Sequence, residues 1–445
     1  MRQEASGKTI LALALPALGA LIAEPLFLLT DTAMVGYLGA TPLAALGLAG
    51  TILQTVVGLL IFLAYATTPF VARRLGAGDP RGAMAAGIDG VWLALFLGVG
   101  MAGLGLVFGN TIVSWFQASA VVEAAAVDYL TISWWGLPGM LLVLAATGVL
   151  RGLQDTVTPF VVAGVGFGAN AGLNAVLIYG LGWGLIGSAI GTVIAQWAMA
   201  VWLVGVVLRR AVHEDASLSP GRAGVFRAAR LGGWLFIRTI SLRVAFVGAT
   251  VVATRLGTED LAAWHVAFTV FSLLALALDS LAIAAQTLIG NRLGASDPEG
   301  TSAVLRQSVK WGILSGAALG SLLIIVSPVF PLLLTSDETV RDLLVPVFIL
   351  LGLSMPLGGY VFVLDGVLMG AGDGRYLALT GVINLAALLP LFWVTLALAG
   401  SSVVWLGVAT LQASIGFGYL GARALTLGYR VRGEKWMVLG VDHDR

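Results

Sequence analysis

The chain has no cysteine, only three histidines and few charges of either sign. Of its 445 residues, 11% are charged and 59% are hydrophobic, against about 25% charged in soluble domains. Without cysteine there are no disulfides and no thiolate metal sites. His213, His265 and His443 are too scattered for a histidine-rich metal centre. An intramembrane enzyme needs a nucleophile–base pair or a metal constellation, and the residues for one are missing, so no enzymatic activity is expected. Strands of alternating polarity, about ten residues each, are also missing, which argues against a membrane β-barrel. With a net charge of +1, nothing suggests a nucleic-acid partner.

Apolar runs dominate instead. The mean hydropathy is +0.98. Stretches long enough to cross a bilayer core of about 30 Å as helices recur along the whole chain. The 59 glycines suit helices that pack closely in lipid through small residues. The pattern predicts an all-α integral membrane protein with twelve spans: 9–36, 43–73, 84–109, 125–150, 158–181, 184–208, 231–256, 261–291, 303–335, 339–369, 376–399 and 402–428.

The last six spans repeat the first six. Arg74-Leu75-Gly76-Ala77-Gly78-Asp79-Pro80 returns as Arg292-Leu293-Gly294-Ala295-Ser296-Asp297-Pro298, an offset of 218. The same offset pairs Leu38-Gly39 with Leu256-Gly257, Pro138 with Pro356, Gly152 with Gly370 and Asp155 with Asp373. Each half has an even number of crossings, so the repeats are parallel and related by an axis along the membrane normal, an arrangement found in transporters. The domain reading is a first lobe at 1–208, a polar, basic inter-lobe linker at 209–230, a second lobe at 231–428 and a tail at 429–445.

Loop charge orients the chain. With both termini cytoplasmic, all but four of the 24 basic residues lie on the inner side: Arg238 and Arg243 fall within a span, and Arg255 and Arg341 face outward. This is the positive-inside pattern of a multi-pass protein of the cytoplasmic (inner) membrane. The two repeated Arg…Asp-Pro loops then face the cytoplasm. Turn chemistry accounts for their residues, with Gly ending one helix and Asp capping the next. Ion pairing between lobes in one conformation is the competing reading. Trp115, Trp134, Trp135, Trp183, Trp264 and Trp405 gather toward the outer side and read as an interfacial belt.

Charged residues inside spans carry the chemistry, because each costs about 2.5–3.5 kcal/mol at mid-membrane and needs a partner or a wet cavity. Span 1 holds Glu24 and Asp31, two turns apart on one face. A carboxylate in a partly dry cavity can exchange a proton against a cationic substrate; the structural reading of Asp31 is a helix-end cap. Asn170 and Asn174 share a face of span 5. With Thr192 on span 6 they form a candidate coupling site around Asp31, able to hold a proton or, alternatively, Na+. Phe27, Met34 and Tyr37 on span 1 are candidates to line a substrate cavity with Glu24, with core packing, and for Glu24 a structural hydrogen bond, as the plainer readings. In the second half Arg238, Arg243 and Asp279 join that cavity list, with mutual ion pairing, which also involves Asp365, as the plainer reading. Pro16 and Pro25 make span 1 a candidate hinge or a fixed kink.

Asp31-Thr32-Ala33-Met34-Val35-Gly36-Tyr37-Leu38-Gly39, the paired loops, Asn170-Ala171-Gly172-Leu173-Asn174 and Gly187-Ser188-Ala189-Ile190-Gly191-Thr192 together resemble the multidrug and toxic compound extrusion (MATE) transporters. Ala277-Leu278-Asp279-Ser280-Leu281-Ala282-Ile283-Ala284-Ala285-Gln286 is similar to the DinF-type branch. The resemblance covers nearly the whole chain. It implies a V-shaped pair of six-helix lobes and alternating access. It also implies export of small organic, often cationic compounds by antiport. By the same resemblance Asp31 matches the coupling acid, the polar residues around it a cation site, and Pro16 a bending point. Asn174 stands where several relatives carry Asp, and one carboxylate fewer favours protons over sodium as coupling ion. A lipid-linked precursor flippase of the same superfamily is the other transport reading. Beyond substrates and membrane lipids no cofactor is expected, and the protein is expected to act as a monomer.

Overall fold

The computed structural model describes residues 7–398 and 406–441. Trp405 and His443 therefore lie outside the described residues. The helices are α1 (Gly7–Gly36), α2 (Ala40–Gly76), α3 (Pro80–Ser114), α4 (Ala120–Gly152), α5 (Val157–Gly180), α6 (Gly184–His213), α7 (Arg222–Leu256), α8 (Thr258–Gly294), α9 (Pro298–Val326), α10 (Glu338–Gly370) and α11 (Gly374–Leu398). Each of these eleven is long and apolar enough to cross a membrane. A twelfth, α12, runs over 406–432 in three pieces. No strand occurs among the described residues. In lipid every backbone N–H and C=O must be satisfied within the chain, and helices do this segment by segment.

Two helices carry a turn of wider π-type winding: α5 at Val176–Gly180 and α12 at Ser414–Tyr419. Helix α2 is interrupted once, at Ile61. Helix α1 runs unbroken through Pro16 and Pro25.

The duplication is three-dimensional as well as sequential. At Gly98 of α3 an added Cβ would lie 2.6 Å from Pro138 Cα of α4, and at Gly316 of α9 it would lie 3.0 Å from Pro356 Cα of α10. These are the same crossing shifted by 218. Gly148 and Gly152 of α4 abut the backbone of α2 at Ala64 and Thr68, and Gly366 and Gly370 of α10 abut α8 at Ala282 and Gln286, again 218 apart. On α9, Gly312, Gly316 and Gly320 form a small-residue stripe packed against α10 backbone. Without a hydrophobic drive between helices in lipid, such close backbone approach supplies the packing energy. Gly98→Val is expected to destabilise the fold by about 1–3 kcal/mol through overpacking, read as a lower thermal midpoint in detergent.

The two repeated loops are turns. Asp79 accepts from Gly82 N at 2.8 Å and Asp297 from Gly300 N at 2.9 Å, each capping a helix that opens with proline. Gly78 takes φ +75° and its counterpart Ser296 φ +54°. Each half also carries a staple from its sixth helix to the turn between its fourth and fifth: Arg210 to Asp155 at 2.5 Å, and Arg430 to Asp373 at 2.6 Å. Asp155 additionally caps α5 by accepting from the Thr158 N–H and hydroxyl. Burial pushes the Asp155 carboxyl up, but the Thr158 and Arg210 contacts outweigh it and hold it below the ordinary carboxylate range. A carboxyl held low stabilises the fold above its unfolded pKa of about 3.9, and that contribution is lost as pH falls through the folded value. Asp155→Asn should therefore cost about 1 kcal/mol at neutral pH, the scale of a lost cap. The difference from wild type should shrink on acidification below about pH 4, in a series of thermal melts.

By packing, the chain divides into two units: Leu15–Gly232, and Gly233–Arg445 together with the chain before Leu15. The sequence reading gave all of 1–208 to the first lobe. Instead the first turns of α1 pack with the second unit, where Gly7 lies against the Trp311 indole. The two breakpoints, after Ala14 and after Gly232, are again 218 apart. The linker is also shorter than 209–230. Helix α6 continues to His213 and α7 starts at Arg222, leaving 214–221. Arg209 and Arg210 read as loop by charge, but cations favour the C-terminal turn of a helix. The linker is tied to α3: Asp89 accepts from Gly221 N at 2.6 Å, and Trp92 Nε1 donates to Leu218 O at 3.0 Å.

Candidate functional site

In the first unit, α1, α4, α5 and α6 converge on Asp31, which is buried. Ser188 Oγ donates to Asp31 Oδ1 at 2.7 Å and Asn174 Nδ2 to the same oxygen at 3.0 Å. The Asn174 amide also donates to Asn170 Oδ1 at 3.2 Å. Asp31, Asn170 and Asn174 thus form one network, and Asn170, Asn174 and Ser188 are essentially inaccessible. Thr192 does not bond to Asp31. Its hydroxyl is buried without a hydrogen-bond partner, as are Asn170 Nδ2 and Asn174 Oδ1. One turn earlier on α6, Ser188 takes the place expected of Thr192. The buried Tyr129 hydroxyl of α4 lies among Ser133, Ser188 and Thr192.

Both donors reach Oδ1, and no described residue donates to Asp31 Oδ2. None of the ion pairs among the described residues includes Asp31. A carboxylate buried without a counter-cation is costly, so one oxygen is held and the other is free for a proton or a cation.

Ser188 and Tyr129 were not singled out from sequence. Ser188 sits four residues before Thr192 on the same face, and this i,i+4 spacing is the signal that could have found it. Ser188→Ala is expected to slow transport without unfolding the protein. The loss should be smaller than that from losing Asp31, because Asn174 still holds Oδ1. Initial efflux rates checked against a thermal melt read both effects.

The remaining candidates disperse. Glu24 is exposed and pairs with no described residue. Phe27 stacks on Phe167 of α5, ring centroids 5.0 Å apart. The Met34 carbonyl accepts from the Tyr179 hydroxyl, which ties α1 to the π-turn of α5. Tyr37 is almost wholly exposed. In the second unit Arg238 of α7 pairs with Asp365 of α10, and Arg423 of α12 reaches the same carboxylate at 2.8 Å. Arg423, read from sequence only as an inner-side charge, is a full member of this cluster. Arg243 is exposed and outside it, and Asp279 is half-buried on α8. No group of three or more His, Asp or Glu able to hold a metal occurs among the described residues. The tryptophans read as a belt differ in burial. Trp115, Trp135 and Trp183 are exposed, but Trp134 and Trp264 are core residues. Trp134 packs on Gly105, and Trp264 donates to Thr250 Oγ1 at 3.1 Å.

The second unit has no copy of the Asp31 network. Shifted by 218, Asp31, Tyr129, Asn170 and Asn174 become Ala249, Val347, Leu388 and Phe392, all members of one hydrophobic core cluster.

The family model MatE matches residues 16–176 and 236–394, one segment in each half. The chain belongs to the MatE family. Within it, the chain is 31% identical over 389 residues to Protein DETOXIFICATION 44, chloroplastic, of Arabidopsis thaliana, covering 85% of this chain and 74% of that one. It is 27% identical over 415 residues to DNA damage-inducible protein F of Escherichia coli, covering 92% and 90%. It is 25% identical over 375 residues to the probable multidrug resistance protein NorM of Thermotoga maritima, covering 82% and 80%. Among solved structures, a MOP superfamily transporter from Pyrococcus furiosus superposes with a TM-score of 0.86 at 22% identity, covering 97% of this chain and 96% of that one. The MatE fold therefore accounts for both halves, and the Asp31 network lies within the first matched segment or, for Ser188, just beyond it.

Proposed function

We propose that this MatE protein is a secondary active exporter of small organic, often cationic compounds in the cytoplasmic membrane. It exchanges them for protons by alternating access, with both termini cytoplasmic and Asp31 as the coupling acid. The observation that carries the reading is the one-sided bonding of Asp31. Ser188 and Asn174 fix Oδ1 and leave Oδ2 to carry the proton, with no basic side chain to neutralise the charge once the proton leaves. A protonated carboxyl there is neutral and tolerates burial. Loss of the proton creates a buried negative charge that favours a cation nearby or access to water. Proton binding and substrate binding then compete, which is the minimum requirement for antiport.

Sodium is the second reading, and a specific observation favours it: Asn174 Oδ1 and Thr192 Oγ1 are buried oxygens without donors. With Asp31 they would give a small hard cation three oxygen ligands. The deciding experiment is efflux of ethidium from proteoliposomes under an imposed pH gradient and, separately, under a sodium gradient at fixed pH. Proton coupling predicts that the pH gradient alone suffices. Efflux driven by sodium alone would replace it with the second reading.

A further inference from the structure

We infer that the outward face of the first turns of α7, built from Arg222, Phe226 and Arg230, is a docking surface for the headgroups of anionic phospholipids. Helix α7 runs over Arg222–Leu256, about 50 Å at 1.5 Å per residue. That is far longer than a bilayer core of about 30 Å. Its apolar run begins only at Leu231, so the turns before it stand at the membrane surface.

The inward face of these turns is fixed by packing. Ala228 and Leu231 are buried. A Cβ on Gly224 would come within 2.7 Å of the Asp89 carboxyl carbon on α3, and one on Gly232 within 2.5 Å of the Phe62 ring on α2. The duplication keeps this face: 218 residues earlier, Ala228 and Leu231 are Ile10 and Leu13 of α1, also buried. The outward face is not kept. Phe226 and Arg230 correspond to Lys8 and Ala12, so the repeated frame does not account for them.

Arg222, Ala223, Phe226, Ala229, Arg230 and Gly233 are all exposed. At 3.6 residues per turn they fall within about one third of the helix circumference, and no acid is among them. Neither Arg222 nor Arg230 forms an ion pair with a described residue. Arg227, on the flank, answers the charge of Asp89 instead. Phe226 is 70% exposed, an aromatic ring left between two guanidinium groups with no packing to do. A membrane surface satisfies all three. Arg230, at the edge of the apolar run, meets the phosphate layer. Arg222 lies about 12 Å further out along the axis, and its long side chain reaches back toward the headgroups. Phe226 turns its ring to the acyl boundary, as apolar residues of interfacial helices do. Guanidinium forks match phosphate oxygens. A zwitterionic headgroup brings its own cation to the phosphate, whereas an anionic one keeps a net charge for the arginines.

The chain has no cysteine, so Ala229→Cys gives a single labelling position on this face. A bimane fluorophore there, on the full chain in phosphatidylcholine nanodiscs, is titrated with two quenchers. One is phosphatidylglycerol and the other phosphatidylcholine, each with the same nitroxide on an acyl chain near the glycerol. Phosphatidylglycerol should quench at a lower mole fraction, by about fivefold for each arginine engaged. The advantage should shrink in 1 M salt, where charges are screened beyond about 3 Å. Arg222→Gln and Arg230→Gln together should bring the two lipids level. Equal quenching by both lipids with the arginines in place would overturn the inference. So would no quenching by either, which would mean that the face stands clear of the bilayer or is covered by a second copy. A double variant that keeps the preference would overturn it too. The comparison of the two lipids decides the matter even if the double variant fails to fold. No gradient or substrate is involved, so the outcome is independent of the export reading.

Discussion

Asp31→Asn is expected to reduce gradient-driven efflux to background while the protein folds and melts as wild type does. The substitution is nearly isosteric, and the asparagine carbonyl can accept from Ser188 and Asn174 as Oδ1 does now. What disappears is the ability to alternate between a neutral and a charged state. The readout is ethidium efflux from proteoliposomes under a pH gradient, paired with a thermal melt of the same preparation. Normal efflux with Asn at this position would remove Asp31 from the coupling step. Collapse of both efflux and folding would mark it as a packing residue. The first unit tolerates the loss of charge because the site is already enclosed, and an uncharged amide is easier to bury than a carboxylate.

Asp365→Asn is expected to be the most destabilising single substitution among the buried charges, at about 3–5 kcal/mol. One carboxylate serves two guanidinium groups, Arg238 and Arg423, and both Asp365 and Arg423 are buried. Removing the acid takes from both guanidinium groups the carboxylate they share, and asparagine cannot replace the charge. Removing one cation is different. Arg238→Met leaves Asp365 paired with Arg423 and should cost clearly less. The comparison of the two thermal midpoints tests the argument, since a purely steric account predicts the opposite order: methionine for arginine removes more atoms than asparagine for aspartate. Equal costs would mean that the three groups do not act as one cluster.

Most of the fold was legible in the sequence because lipid imposes a simple rule. A span needs about 20 apolar residues, and most helix ends fall within about five residues of the predicted boundaries, the exceptions being the start of α7 at Arg222 instead of 231 and the end of α9 at Val326 instead of 335. The repeat was legible because turn residues such as Asp79 and Asp297 are held in place by capping geometry. Contacts were harder to read. Ser188 and Thr192 lie on the same face of α6, and which of them reaches Asp31 depends on how far α1 slides along α6, a tertiary quantity. Arg423 looked like an ordinary inner-side charge because nothing local reveals that α12 turns it toward Asp365. Trp134 and Trp264 share the amphipathic character of interfacial tryptophans, but the face each helix presents is set by packing. The end of α6 was misplaced because arginine marks both a polar loop and a favourable helix terminus.

The paired glycine–proline crossings, Gly98 on Pro138 and Gly316 on Pro356, have a consequence for how the two halves can diverge. A frame that exists twice holds its shape in each copy independently of what fills the space beside it. One copy has Ala249, Leu388 and Phe392 at the matching positions, inside a hydrophobic core. The other holds Asp31, Asn170 and Asn174 in the same space. The second unit thus preserves, inside the same molecule, a picture of the scaffold without the Asp31 network. Redundancy of the frame freed one half to accept buried polar groups that a single-copy fold would have to accommodate everywhere.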